Sequence, residues 1–265
     1  MNGESRRGAI VGRHLQAHVL NELQYRTNFF LQLLQSASQI AGALVAVALI
    51  YGRVDELNGW TRPQLLAAIG VYTLLGGVMR AFVQPAMMRL MDDVQSGTFD
   101  FALTKPADAE LLVSVRAVDI WQTLDIVIGA IVVSIALAQL SGTIGAGDAL
   151  AFAGMLVAGA VIIYCAWLSI AAAAFWFVRI DFVDALYVGI FRAAQYPIGI
   201  YPAWLRLSLT IVIPVGIAVT APSEAITSRL DASTLLVATA VAVVSLLLSR
   251  IVWRHGVRRY AGASG

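Results

Sequence analysis

Long apolar runs alternate with short polar segments along the whole chain. A bilayer core requires about 20 mostly apolar residues per helix, and an isolated strand cannot satisfy its backbone hydrogen bonds in lipid. The runs that meet this length are residues 29–51, 64–88, 117–139, 149–178, 204–221 and 234–253. The pattern therefore predicts an all-α membrane protein with six transmembrane helices.

The composition agrees with this class and excludes others. Apolar residues make up 59% of the chain and charged residues 13%, whereas soluble domains are about one quarter charged. The net charge of +2 is too small to indicate nucleic-acid binding. Cys165 is the only cysteine, so the chain has no intrachain disulfide. The first apolar run is too long for a signal-peptide core and is interpreted as a retained membrane helix.

The N-terminal segment, residues 8–27, has apolar residues near helical spacing and predicts an amphipathic elbow helix in the membrane interface. The alternative is a polar extension of the first membrane helix. The predicted organisation is a cytoplasmic N-terminus with this helix (1–28), a six-helix domain (29–254) and a basic tail (255–265). The tail predicts contact with anionic lipid headgroups or with a partner protein.

Basic residues favour one side of the predicted bundle. That side receives Arg6, Arg7, Arg13, Arg26, Arg89, Lys105, Arg116, Arg179, Arg192, Arg254, Arg258 and Arg259, and the other receives Arg53, Arg62 and Arg229. Because cytoplasmic loops are enriched in Lys and Arg, we expect both termini and the loop 89–116 to be cytoplasmic.

Residues 182–222 fit two topologies. In the first, 182–200 lies in the interface and 204–221 crosses, which avoids placing Arg192 in mid-membrane. In the second, 182–200 crosses and 203–222 is a re-entrant pair, which explains the helix-breaking Pro197, Pro202 and Pro214.

Charged and amide side chains occur at two predicted crossings. Arg116, Asp119, Gln122 and Asp125 recur every third residue and predict one polar stripe on a helix. Arg80 and Gln84, in the second crossing, are placed to reach it, and an ion pair of Arg80 with Asp119 or Asp125 is expected. The stripe is either a structural pair or the lining of a transport path. The alternative function is an ion-coupled secondary transporter in which Arg80, Asp119 and Asp125 form the ion relay. No inverted repeat supports it.

Enzymatic signatures are missing from the sequence. A phosphate-binding Walker A loop requires Gly-Lys-Ser/Thr, but Lys105, the only lysine, precedes Pro106. His14 and His18 lack a third metal ligand nearby, and we expect no metal site. No nucleophile with a base is evident, so we expect no catalytic activity in this chain.

The loop "MDDVQSGTFDFALTKPAD", 91–108, is polar but contains two phenylalanines. Ser96-Gly97-Thr98 predicts a break and a helix N-cap, Asp100 suits a first helical turn, and Pro106 ends the helix. We therefore predict a short helix over 98–104 that presents Phe99, Phe101 and Leu103 among charges, with the two phenylalanines as anchors for a docking partner. The alternative is a solvated loop tip.

Five segments together resemble the permease subunits of ABC type-2 exporters. They are "GWTRPQLL" (59–66), "MDDVQSGTFDFALTKPAD" (91–108), "YPIGIYPAWLR" (196–206), "IPVGIAVTAP" (213–222) and "WRHGVRRYAGASG" (253–265). The similarity is to a bacterial subfamily with paired permeases and a separate ATPase.

The resemblance implies an exporter subunit in the bacterial inner membrane. It implies a partner ATPase that binds ATP and Mg, a second permease that is identical or paralogous, and a re-entrant extracellular pair between helices five and six. It assigns ATPase coupling to Asp92, Asp93, Gly97, Thr98, Phe99, Asp100, Leu103, Thr104, Lys105 and Pro106.

Overall fold

The computed structural model describes residues 26–104, 109–140, 145–177 and 183–260, and this part of the chain is almost entirely helical. The helices are α1 (Arg26–Tyr51), α2 (Arg62–Val78), α3 (Gln84–Gln95), α4 (Asp100–Leu103), α5 (Ala109–Ser114), α6 (Thr123–Gln139), α7 (Ala146–Ala172), α8 (Val183–Ala193), α9 (Ala203–Leu207), α10 (Val215–Ile226) and α11 (Ala232–Arg259). Two strands of two residues, β1 (Glu56–Leu57) and β2 (Trp60–Thr61), pair antiparallel. The predicted N-terminal helix lies almost wholly outside the described residues.

Five helical stretches are long and apolar enough to cross a membrane. They are Phe29–Tyr51, Arg62–Gln95, Ile120–Gln139, Ala146–Phe175 and Ala232–Arg259, and a bent pair, Ala203–Ile211 with Val215–Ile226, raises the number to as many as six. The prediction of an all-α membrane protein is confirmed. We call the end of the bundle that carries β1 and β2 the hairpin end, and the opposite end, which carries residues 91–104 and 109–116, the loop end.

The second span stays continuous through Pro85 by means of a π-helical turn, Met79–Val83, between α2 and α3. Proline has no backbone N–H to donate to the carbonyl four residues earlier, which here belongs to Ala81. The backbone N–H of Asp119 donates to that carbonyl at 2.8 Å. The third span is therefore fastened to the second at its break, and its α-helix begins at Thr123 rather than at residue 117.

Residues 183–200 run along the bundle from near the loop end to the hairpin end. The Tyr187 ring lies 4.7 Å from that of Trp167, towards the loop end of α7. Further on, Phe191 stacks at 5.0 Å on Tyr72 in the middle of the second span. At the hairpin end, the Asn58 amide donates to the carbonyl of Gly199.

The bent pair begins and ends at the hairpin end. Arg206 donates to the carbonyl of Gly199 at 3.1 Å, and beyond α10 Arg229 donates to the carbonyl of Gly59. Its two arms meet at 95°. These contacts favour the second of the two topologies, with 183–200 as the fifth crossing and 203–226 as the re-entrant pair.

The second and third spans pack at backbone contact where Gly129 of α6 faces α2. A Cβ at Gly129 would lie 2.4 Å from the Leu74 nitrogen and 2.7 Å from the Gly70 oxygen. Small residues permit such close approach between membrane helices.

We expect Gly129→Ala to destabilise the bundle by about 1–3 kcal/mol, because the added methyl group forces two backbones apart. Thermal unfolding in one detergent measures the effect. Gly154→Ala is the matched control, since a Cβ at Gly154 meets nothing within 4 Å. Equal melting temperatures for the two variants would contradict the prediction.

Candidate functional site

The loop end is a folded unit built on the backbone around Gly97. Gly97 has φ +72°, a conformation that favours glycine. The chain reverses there, and the N–H groups of Thr98 and Phe99 donate to the Asp93 carbonyl at 2.9 and 3.0 Å. A single helical turn follows, Asp100–Leu103, which is shorter than the predicted 98–104.

The buried carboxylate of Asp93 holds both ends of this unit together. Arg116 donates to one oxygen, while the Thr98 hydroxyl donates to the other at 3.2 Å and Arg89 lies 3.7 Å from it. A buried carboxylate is tolerated when it is paired and hydrogen-bonded in this way. Arg116 therefore joins the loop to the end of α3, and it does not belong to a polar stripe on the third span.

Phe99 is fully buried, so the prediction that it is an exposed anchor is wrong. Its ring lies 5.5 Å from Phe175, 6.1 Å from Trp253 and 5.3 Å from Tyr260. These partners belong to the ends of the fourth and sixth spans, which extend to the loop and remove the ring from solvent. Burial also raises the pKa of the Tyr260 phenol, which stays neutral at physiological pH.

Phe101 is the aromatic side chain that the loop exposes, with 70% of its surface accessible. Leu111 of the neighbouring α5 is also exposed, at 57%, and α4 and α5 are in contact. Of the other residues predicted to couple to an ATPase, Asp92, Thr98 and Thr104 are exposed, and Gly97 and Asp100 are partly exposed. The Leu103 side chain, Lys105 and Pro106 lie outside the described residues.

A second polar group lies inside the bundle, and in it Arg80, which was predicted to pair with Asp119 or Asp125, pairs with Asp125. Their side chains meet at 2.6 Å, and the Asp125 carboxylate is almost fully buried. Arg80 Nε also donates to Gln122 at 3.2 Å.

Two residues of the first span complete this group and were missed by the sequence analysis. The Ser36 hydroxyl donates to Asp125, and the amides of Gln32 and Gln122 exchange hydrogen bonds of 2.9 and 3.0 Å. Gln32 and Ser36 are four residues apart and share a helix face. That spacing of polar residues in an apolar run was the available signal.

Asp119 stands apart from the ion pair. Its carboxylate accepts the backbone N–H of Trp121 at 3.1 Å and caps the 3-10 turn Ile120–Gln122. Because this turn precedes α6, Asp119, Gln122 and Asp125 do not form the predicted single stripe. Among the described residues, Asp119 makes no ion pair with Arg80.

A cavity of about 450 Å³ lies between the second and third spans at this point. Its lining consists of Arg80, Gln84, Pro85, Met88, Ala117, Val118, Asp119 and Gln122. Among the described residues, no group of three or more His, Cys, Asp or Glu side chains is arranged to hold a metal ion.

Long apolar helices around a buried ion pair, with a folded loop unit at one end, define a multi-pass α-helical membrane protein. The model of the ABC-2 family transporter proteins matches residues 37–264, and the chain belongs to this family. It is a permease subunit, and the family implies association with an ABC ATPase. No curated protein and no solved structure matches the chain.

Proposed function

We propose that this chain is the permease subunit of an exporter in the bacterial inner membrane. It forms the transport path with a second permease, identical or paralogous. A separate ATPase, which binds ATP and Mg, drives it from the loop end. No cofactor is assigned to this chain.

The distribution of arginine supports a cytoplasmic loop end. Arg89, Arg116, Arg254, Arg258 and Arg259 lie there, and α11 ends with basic residues in its last turn. The hairpin end holds Arg53, Arg62, Arg206 and Arg229. Extra basic residues favour the cytoplasmic side. On this basis both termini are cytoplasmic.

The exposed apolar surface of Phe101 and Leu111 is the observation that carries the ATPase assignment. Both side chains project from a unit that the contacts of Asp93 and Phe99 hold together. A displacement of this unit by the ATPase would therefore be transmitted to the spans that it contacts. The Phe99 contacts lead to the fourth and sixth spans, and Arg116 leads to the third. ATP shifts the equilibrium between two permease conformations only if the ATPase contacts them differently.

We expect Phe101→Ala to weaken ATPase binding by about tenfold or more, the effect of losing an interface anchor. The permease and its partner ATPase are co-expressed, and the affinity of the purified subunits is measured. Folding is preserved, since the ring is exposed.

Trp204→Ala is the control for this variant, because Trp204 is equally exposed, at 70%, but lies at the hairpin end. It should bind the ATPase like the wild type. Wild-type affinity in Phe101→Ala, or the same loss in both variants, would refute docking at the loop end.

A further inference from the structure

Among the described residues, the cavity between the second and third spans is lined by one carboxylate that has no ion-pair partner. Arg80 lines it but is committed to Asp125 at 2.6 Å, so these two charges cancel. Asp119 also lines it. Among the described residues, no Lys, Arg or His nitrogen lies within ion-pair distance of Asp119. The described charged side chains that line this site, counted together with Asp125, therefore sum to one negative charge.

The structural role of Asp119 does not require that charge. One carboxylate oxygen accepts the N–H of Trp121, and asparagine caps a helix about as well as aspartate. A neutral amide would hold the turn in place. The negative charge of the carboxylate is therefore available to a cationic ligand that enters the cavity.

The rest of the lining suits an apolar body attached to a cation. Met88, Pro85 and Val118 supply a thioether and hydrocarbon surface. The volume, about 450 Å³, falls within the usual range for small-molecule sites. An anionic ligand would be repelled by Asp119.

We propose that this cavity binds a lipophilic cation, with Asp119 as the counter-ion for its charged group. The proposal that this cation is the transported substrate rests on the transport function proposed above. Binding of the cation to the cavity can be measured without an ATPase.

The experiment uses tetraphenylphosphonium and tetraphenylborate, which have nearly the same shape and opposite charge. The permease is placed in nanodiscs of zwitterionic phosphatidylcholine, and saturable binding above that of empty nanodiscs is measured by equilibrium dialysis. We expect the phosphonium to bind and the borate not to. Asp119→Asn should weaken phosphonium binding by about tenfold or more, the consequence of removing a desolvated counter-ion, with an unchanged melting temperature.

Asp148→Asn is the matched control. Asp148 also accepts a backbone N–H, from Gly145 at 3.0 Å, but it lies at the hairpin end, away from the cavity. Full phosphonium binding in Asp119→Asn, an equal loss in Asp148→Asn, or stronger binding of the borate would overturn the proposal. None of these results bears on Phe101, so the site and the ATPase docking fail independently.

Discussion

Replacing Asp125 with alanine is expected to destabilise the permease by about 3–5 kcal/mol, the usual cost of removing one partner of a buried ion pair. The Arg80 guanidinium would keep its charge in a site from which its only ion-pair partner among the described residues has gone. The Ser36 hydroxyl would lose its acceptor as well. The free energy of unfolding, measured by SDS titration in mixed micelles, reports the loss.

The double variant Arg80→Met with Asp125→Leu separates charge from packing. Replacing both charges by apolar side chains is often close to neutral, so we expect it to recover most of the stability. Recovery should be incomplete, because Gln122 and Ser36 lose partners. If Asp125→Ala lowered the free energy of unfolding by less than about 1 kcal/mol, the loss would fall well below the cost of breaking a buried ion pair. That result would contradict a structural role for the pair.

We also expect a large loss of stability when Phe99 is replaced by alanine. A buried phenylalanine costs about 3–5 kcal/mol when reduced to alanine, and Phe99 loses ring contacts with Phe175, Trp253 and Tyr260. The damage should be local, since these rings join the loop to the ends of two spans. Hydrogen exchange should rise across residues 91–104 and at the end of α11, while the spans stay protected.

Phe101→Ala provides the comparison for this variant, two positions along the same loop. Its ring is 70% exposed, so hydrogen exchange should match the wild type even where ATPase binding falls. Phe99→Ala should reduce both protection and ATPase binding. Wild-type exchange in Phe99→Ala would show that the aromatic cluster does not hold the loop end.

Several features of this protein follow from local composition. The apolar runs locate the spans because lipid demands about 20 apolar residues in succession whatever surrounds them. An ion pair of Arg80 with Asp119 or Asp125 was also predictable, since a charge within a span must find one of the few opposite charges available. The choice of Asp125 required the structure.

The contrast between Phe99 and Phe101 could not be read from the chain. The two residues are of one type in one short predicted helix. Which of them is buried depends on Phe175, Trp253 and Tyr260, which are distant in sequence. The same holds for Arg116. Its spacing fitted a stripe with Asp119. In the structure, however, a 3-10 turn at Ile120–Gln122 precedes α6, and Arg116 forms an ion pair with Asp93.

The sequence by itself determined the class of protein, the positions of most spans and the existence of a punctuated loop, because each depends on the chemistry of neighbouring residues. Only the tertiary structure decided that 183–200 accompanies the bundle while 203–226 returns to the hairpin end. Both segments are apolar enough for membrane, and their difference lies in long-range contacts such as Phe191 on Tyr72 and Arg229 on Gly59. The lipid environment requires apolar composition in both segments, and tertiary packing determines which of them crosses the membrane.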